Sequence, residues 1–203
     1  MANTETGQGN TVERGARVYC SEHNRIEAMP GTADTVDVWL CLEYRPAWKP
    51  RVLVDNALST ETKTWLEDTL AGFAAQGLKC RPQFVRQPET ESDAVRLMLT
   101  VSGRTYQWNG SGYGYLKGLN LPDLVAAEVR SPGRLSEVAE EVHATQYLVC
   151  TNGQRDLCCA RFGLPVYAAL KERVGNRVWQ VTHLGGHRFA PNLLTLPDAC
   201  LYG

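Results

Sequence analysis

Hydrophobic and polar residues alternate from Val36 to Tyr44, with Val36, Val38, Leu40, Leu42 and Tyr44 on one side and Asp37, Trp39, Cys41 and Glu43 on the other. A period of two predicts a strand, and Trp39 and Cys41 make its second side partly apolar. Both sides are therefore expected to be covered, by helices, with the strand internal to a sheet. From Ser59 to Gln76 the spacing lengthens to three and four residues, through Trp65, Leu66, Leu70, Phe73 and Ala74. That spacing predicts a helix capped by Ser59 or Thr60, favoured at its start by Glu61 and stopped by Gly77. Short apolar segments follow at Gln83–Arg86 and Val95–Val101, and Ser102-Gly103 turns the second into Arg104–Trp108 as a hairpin. Strand, helix, strand and hairpin predict an α/β or α+β lobe.

Beyond the hairpin, NGSGYG (109–114) reads as a turn, because its spacing is not GxGxxG and no amphipathic helix opens behind it. Residues 118–134, with Pro122, Pro132 and Gly133, read as a connection, and Leu135, Val138, Ala139 and Val142 as a helix ending near a surface His143. Gln146–Cys150 is a predicted strand, and the polar turn TNGQRD leads to Asp156, which can cap a helix starting near Leu157. Pro165 is expected to kink that helix or start a second one. A strand over Arg177–Thr182 and a hairpin made of Leu193–Leu196 and Cys200–Tyr202 complete the chain. The predicted organisation is a flexible polar tail (1–16), an N-terminal α/β lobe (17–133) and a C-terminal lobe (134–203) packed against it.

A chain of 203 residues can bury about 70% of its unfolded surface, so its folding needs no metal. A net charge of −1 with 43% hydrophobic residues argues against a general polyanion binder, so neither nucleic acid nor a membrane surface is an expected partner. Residues 144–203 carry 6 basic and 3 acidic residues, against 15 and 19 before them, a bias that would steer an acidic partner. The seven cysteines, at 20, 41, 80, 150, 158, 159 and 200, lack the spacing of a disulfide framework, and no apolar signal or membrane-spanning run occurs. A cytoplasmic protein with reduced thiols is expected. Cys20 has only His23 as a nearby donor and reads as a small, semi-buried residue.

The chemistry concentrates in the last quarter. Cys150 and Cys159 flank the turn TNGQRD, and His183 and His187 stand at either end of HLGGH. Asp156 as a cap would put Cys159 in the first turn of its helix, where backbone N–H groups favour a thiolate. Gly185 and Gly186 keep the two histidines off a helix and permit close approach of a bulky group. A closed zinc tetrahedron is one reading, although Cys-x8-Cys is loose beside the usual zinc spacing. A redox dithiol would use Cys158 and Cys159, which are adjacent rather than two residues apart. A nucleophilic cysteine with a histidine base and a [2Fe–2S] centre of Rieske-like composition are further readings.

The segments CTNGQRDLCCARFGLPVY and VWQVTHLGGHRFAPNLLTLPDACLYG closely resemble the sucrase/ferredoxin-like family, and Cys20-Ser21, GTAD and VWLCLEY extend the resemblance toward the N-terminus. It implies a thioredoxin-like ferredoxin lobe at the C-terminus and a [2Fe–2S] cluster bound by Cys150, Cys159, His183 and His187, with Cys158 as the alternative to Cys159. The implied activity is electron transfer with an unidentified redox partner protein, an electron carrier more than a self-sufficient enzyme. No carboxylate pair argues for glycoside hydrolysis. A zinc-stabilised (Cys2His2) interaction module, with Zn2+ and no redox activity, is the alternative.

Overall fold

Strand β1 (Val38–Glu43) is buried along its whole length and organises two cores at once. Val38, Leu40 and Leu42 enter a core shared with Trp65, Leu66 and Phe73, while Trp39 and Cys41 enter a second core on the other side of the sheet. The computed structural model describes residues 19–23 and 27–203. The predicted tail and the side chain of Cys20, which opens the four-residue helix α1 (Cys20–His23), lie outside the described residues.

Helix α2 (Thr60–Ala75) follows β1, with Ser59 Oγ accepting the Thr62 N–H at 3.3 Å as its cap. The chain returns as β2 (Cys80–Arg86), parallel to β1, and then forms the hairpin of β3 (Ala94–Val101) and β4 (Arg104–Ser111). Positive φ at Ser102 and Gly103 makes that tight turn. Residues 109–114 form no phosphate loop: β4 continues to Ser111, and a 3-10 turn begins at Gly114.

Two expectations fail here. The segment 118–134 is not merely a connection, because it contains helix α3 (Leu121–Arg130). Asn120 caps it by accepting the Asp123 N–H, and Pro122 stands in its first turn, where its missing N–H costs nothing. The helix expected from Leu135 is a single 3-10 turn (Leu135–Glu137) followed by β5 (Glu140–Glu141) against β4. Of the apolar residues that suggested it, Leu135 is fully buried but Val138 is exposed, so no continuous face meets a core.

The second half repeats the topology of the first. Strand β6 (Gln146–Cys150), helix α4 (Leu157–Val174) and β7 (Val178–Val181) form a parallel βαβ unit, and β8 (Leu193–Leu196) and β9 (Cys200–Tyr202) form a hairpin beside β6. Pro165 lies inside α4, which is one helix rather than two. Antiparallel pairing of Val85 with Val181 and Arg86 with Gln180 joins the halves into one nine-stranded sheet, in the order β5-β4-β3-β1-β2-β7-β6-β8-β9.

The second core shows how the halves meet. Trp39, Cys41, Val85 and Met98 of the first half share it with Leu148, Trp179, Val181, Leu194 and Leu196 of the second. The sheet therefore curls, and the cover over the far side of β1 is the second half's sheet, not the helix expected there. Tyr167, Leu170 and Val174 of α4 pack on the opposite side, against Val149 and Val178. Among the described residues no helix is long and apolar enough to cross a membrane.

Candidate metal centre

Parallel β6 and β7 leave their carboxyl ends side by side, which is where open α/β sheets place ligands. Cys150 is the last residue of β6 and is fully buried. Beyond it, the carbonyl of Asn152 accepts the N–H groups of Arg155 and Asp156, both at 3.1 Å, which closes the polar turn. Asp156 then caps α4, its Oδ1 accepting the Cys158 N–H at 2.9 Å, so Cys159 falls in the first turn, fully buried.

A glycine inside α4 sets how close that turn comes. A Cβ on Gly163 would lie 2.2 Å from the carbonyl oxygen of Cys150, so only glycine lets the helix cross the strand end there. Cys159, one turn earlier on α4, is thereby brought to Cys150.

His183 stands just beyond β7, and its Nδ1 lies 3.6 Å from Cys159 Sγ. Cys150, Cys159 and His183 converge, with one donor atom from each all within 4.8 Å of one another. His187 is outside that group. It is half-exposed, its ring centre lies 6.0 Å from that of His183 at 31°, and its Nδ1 lies 3.8 Å from Asp156 Oδ2. Cys158 is buried but does not join the group, so the structure brings Cys159 rather than Cys158 to the histidine. No disulfide forms among Cys41, Cys80, Cys150, Cys158, Cys159 and Cys200.

The thiols of Cys150 and Cys159 form a coupled pair. A hydrogen bond from Cys159 holds Cys150 well below the usual thiol range against the opposing effect of burial, helped by His183 and the Leu184 N–H. The same bond, together with burial, pushes Cys159 up. Cys150 and Cys159 would hold a metal as thiolates, the ligating form.

Several residues that shape the site were not singled out from the sequence. Asn192 is fully buried, and its amide donates to the carbonyls of Gly185 and, at 3.0 Å, Gly186, which fixes the loop between the histidines. Arg81, on β2, donates to the Leu184 carbonyl and lies over the Trp39 ring at 5.3 Å. Gly163 was visible as a glycine in an otherwise helical stretch, which signals close packing. Arg81 carried no signal, because it reaches the site only through the β2–β7 junction.

The donor set fits a metal centre of soft ligands. A single zinc with bonds of about 2.0–2.3 Å draws its four donors within about 4 Å of one another. Three residues approach that condition, and His187 stands apart from them. A two-metal cluster would instead take the two thiolates on one metal and both imidazoles, whose ring centres lie 6.0 Å apart, on the other. The sequence profile of the sucrase/ferredoxin-like family matches residues 29–203. No curated protein and no solved structure matches the chain.

Proposed function

Since the chain belongs to the sucrase/ferredoxin-like family, we propose that it is an electron-transfer protein whose C-terminal half is a thioredoxin-like ferredoxin lobe. Cys150 and Cys159 would hold one iron of a [2Fe–2S] cluster, and His183 and His187 the other. The observation that carries this reading is the convergence of Cys150, Cys159 and His183 at the end of β6, with His187 on the adjoining loop.

Such a cluster supplies one-electron chemistry, at a potential above that of all-cysteine plant-type ferredoxins at about −400 mV when histidines replace two thiolates. The chain's own residues position and shield. Gly163 seats α4 on Cys150, Asn192 holds the glycine loop, and the second core keeps water from the thiolates. Asp156 Oδ2 lies 3.8 Å from His187 Nδ1, so a small turn of the ring would make this carboxylate the second partner usual for a metal-bound imidazole. His187, as the exposed ligand, is the point of electron entry or exit for an unidentified redox partner protein. The cysteines lack the spacing of a disulfide framework, which suits a reducing, cytoplasmic setting.

Anaerobic purification followed by metal analysis and an absorption spectrum tests the reading. The expected product is brown, holds about two irons per chain and bleaches with dithionite. A colourless protein with one zinc and no redox response would replace it with the zinc-stabilised module.

A further inference from the structure

Outside the metal centre, a cleft of about 420 Å³ opens between the loop after β1 and the start of α4. Ala47, Trp48, Arg86, Thr151, Leu157 and Ala160 are among its walls. Arg86 is half-buried, and no carboxylate pairs with it among the described residues. Its Nε donates to Gln180 Oε1 at 3.0 Å, one Nη reaches the Pro46 carbonyl at 3.4 Å, and its guanidinium lies over the Trp48 ring at 4.1 Å. These neutral partners orient the cation without neutralising it, and burial lowers its pKa.

A second observation is independent of the first. Thr151 is 6% exposed and lines the same cleft, yet its hydroxyl has no hydrogen-bond partner. A buried hydroxyl left unpaired is costly, and such a group in a native structure calls for a missing partner. The cleft also borders the first turn of α4, an 18-residue helix, whose N-terminus favours negative charge. Asp156 already caps that turn and opposes an incoming anion, so Arg86 and Thr151 must supply the recognition.

We propose that this cleft binds a small oxyanion, a carboxylate or phosphate group attached to an apolar body. The oxyanion pairs with Arg86 and receives the Thr151 hydroxyl once that side chain, whose oxygen is closed to solvent in the free protein, turns toward the cleft. Ala47, Ala160 and the half-exposed Leu157 take the apolar part. The site stands whether or not the metal reading is correct. Where that reading holds, the ligand sits one residue from Cys150, close enough for its charge to bear on the cluster.

Calorimetric titration of the full chain with benzoate, inorganic phosphate and benzyl alcohol is the test. Benzoate is expected to bind saturably, phosphate more weakly, and the uncharged alcohol not at all. Arg86→Gln should weaken benzoate at least tenfold, with partial recovery in Arg86→Lys. Thr151→Val removes only an unpartnered hydroxyl, so it should fold normally and still weaken benzoate several-fold, which guards against misfolding of the arginine variants. Absence of saturable binding of either anion, equal binding of benzyl alcohol, or wild-type affinity in Thr151→Val would each overturn the proposal.

Discussion

Gly163 packs against the end of β6 at Cys150 with no room for a side chain: a methyl group on the glycine would sit 2.2 Å from the cysteine's carbonyl oxygen. The obstacle is backbone, in the strand at the heart of the second half, so it cannot swing aside as a side chain would. Gly163→Ala must therefore push α4 away from β6 and separate Cys159 from Cys150. Overpacking of this kind costs about 1–3 kcal/mol, and each kcal/mol lowers the Tm of a chain this size by about 2–4 °C. Metal content is expected to fall far more than helicity, so metal analysis beside far-UV circular dichroism checks the outcome.

Asn192 governs the other side of the centre. Its amide satisfies the carbonyls of Gly185 and Gly186, both of which have positive φ. Asn192→Leu deletes those donors and leaves two carbonyls to find water, at a cost of about 1–3 kcal/mol for each that stays buried. The histidine loop is expected to loosen while both cores persist. Faster loss of metal to a chelator at unchanged secondary structure is the predicted signature.

How far the sequence revealed this architecture depends on the range of the interactions involved. β1 and α2 were legible because alternation and three-to-four spacing report local burial. Cys150, Cys159 and His183, which the fold brings together, stood out in the sequence because few side chain types bind soft metals. The repeat of the two halves was not, because it is a repeat of topology rather than of residues. At the strand end where the second half has Cys150, the first has Glu43, buried and ion-paired with Arg45 at 2.7 Å. Nor was the single sheet legible, since it depends on two residue pairs between segments about a hundred residues apart. Pro122 was read as a breaker, although in the first turn of α3 it is compatible with a helix.

Glu128 ties α3 to the segment after it and gives the fold a pH dependence. Its carboxylate accepts the N–H groups of Leu135 at 2.8 Å and Gly133 at 3.0 Å, and the Tyr106 hydroxyl at 3.1 Å, with Arg104 at 3.4 Å. Burial favours the neutral acid, but these donors outweigh it and pull the pKa below the usual carboxylate range. Because the folded pKa is depressed, the stabilisation is fully present above the unfolded value of about 4.3 and is lost as pH falls through the folded value. Glu128→Gln is expected to be less stable than wild type at pH 7, by about 1–3 kcal/mol, and to lose less stability on acidification. Urea melts at pH 7 and pH 4 distinguish the two proteins, and parallel acid limbs would count against this role.

Cys158 and Cys159 provide the sharpest discrimination, because they are adjacent, chemically identical and both buried. A helix turns about 100° per residue, so their thiols leave α4 in different directions. Cys159 points to His183 Nδ1 at 3.6 Å and to Cys150, whereas Cys158 stays outside the converging group. Cys159→Ser replaces a proposed thiolate ligand with a hydroxyl that binds soft metals poorly, so on the proposed function most of the bound metal and its visible absorption should disappear. Cys158→Ser leaves all four proposed ligands intact and should retain both, with only a modest change in Tm. Measuring metal per chain in the two variants assigns the ligand directly, and loss of metal in Cys158→Ser with retention in Cys159→Ser would reverse the assignment.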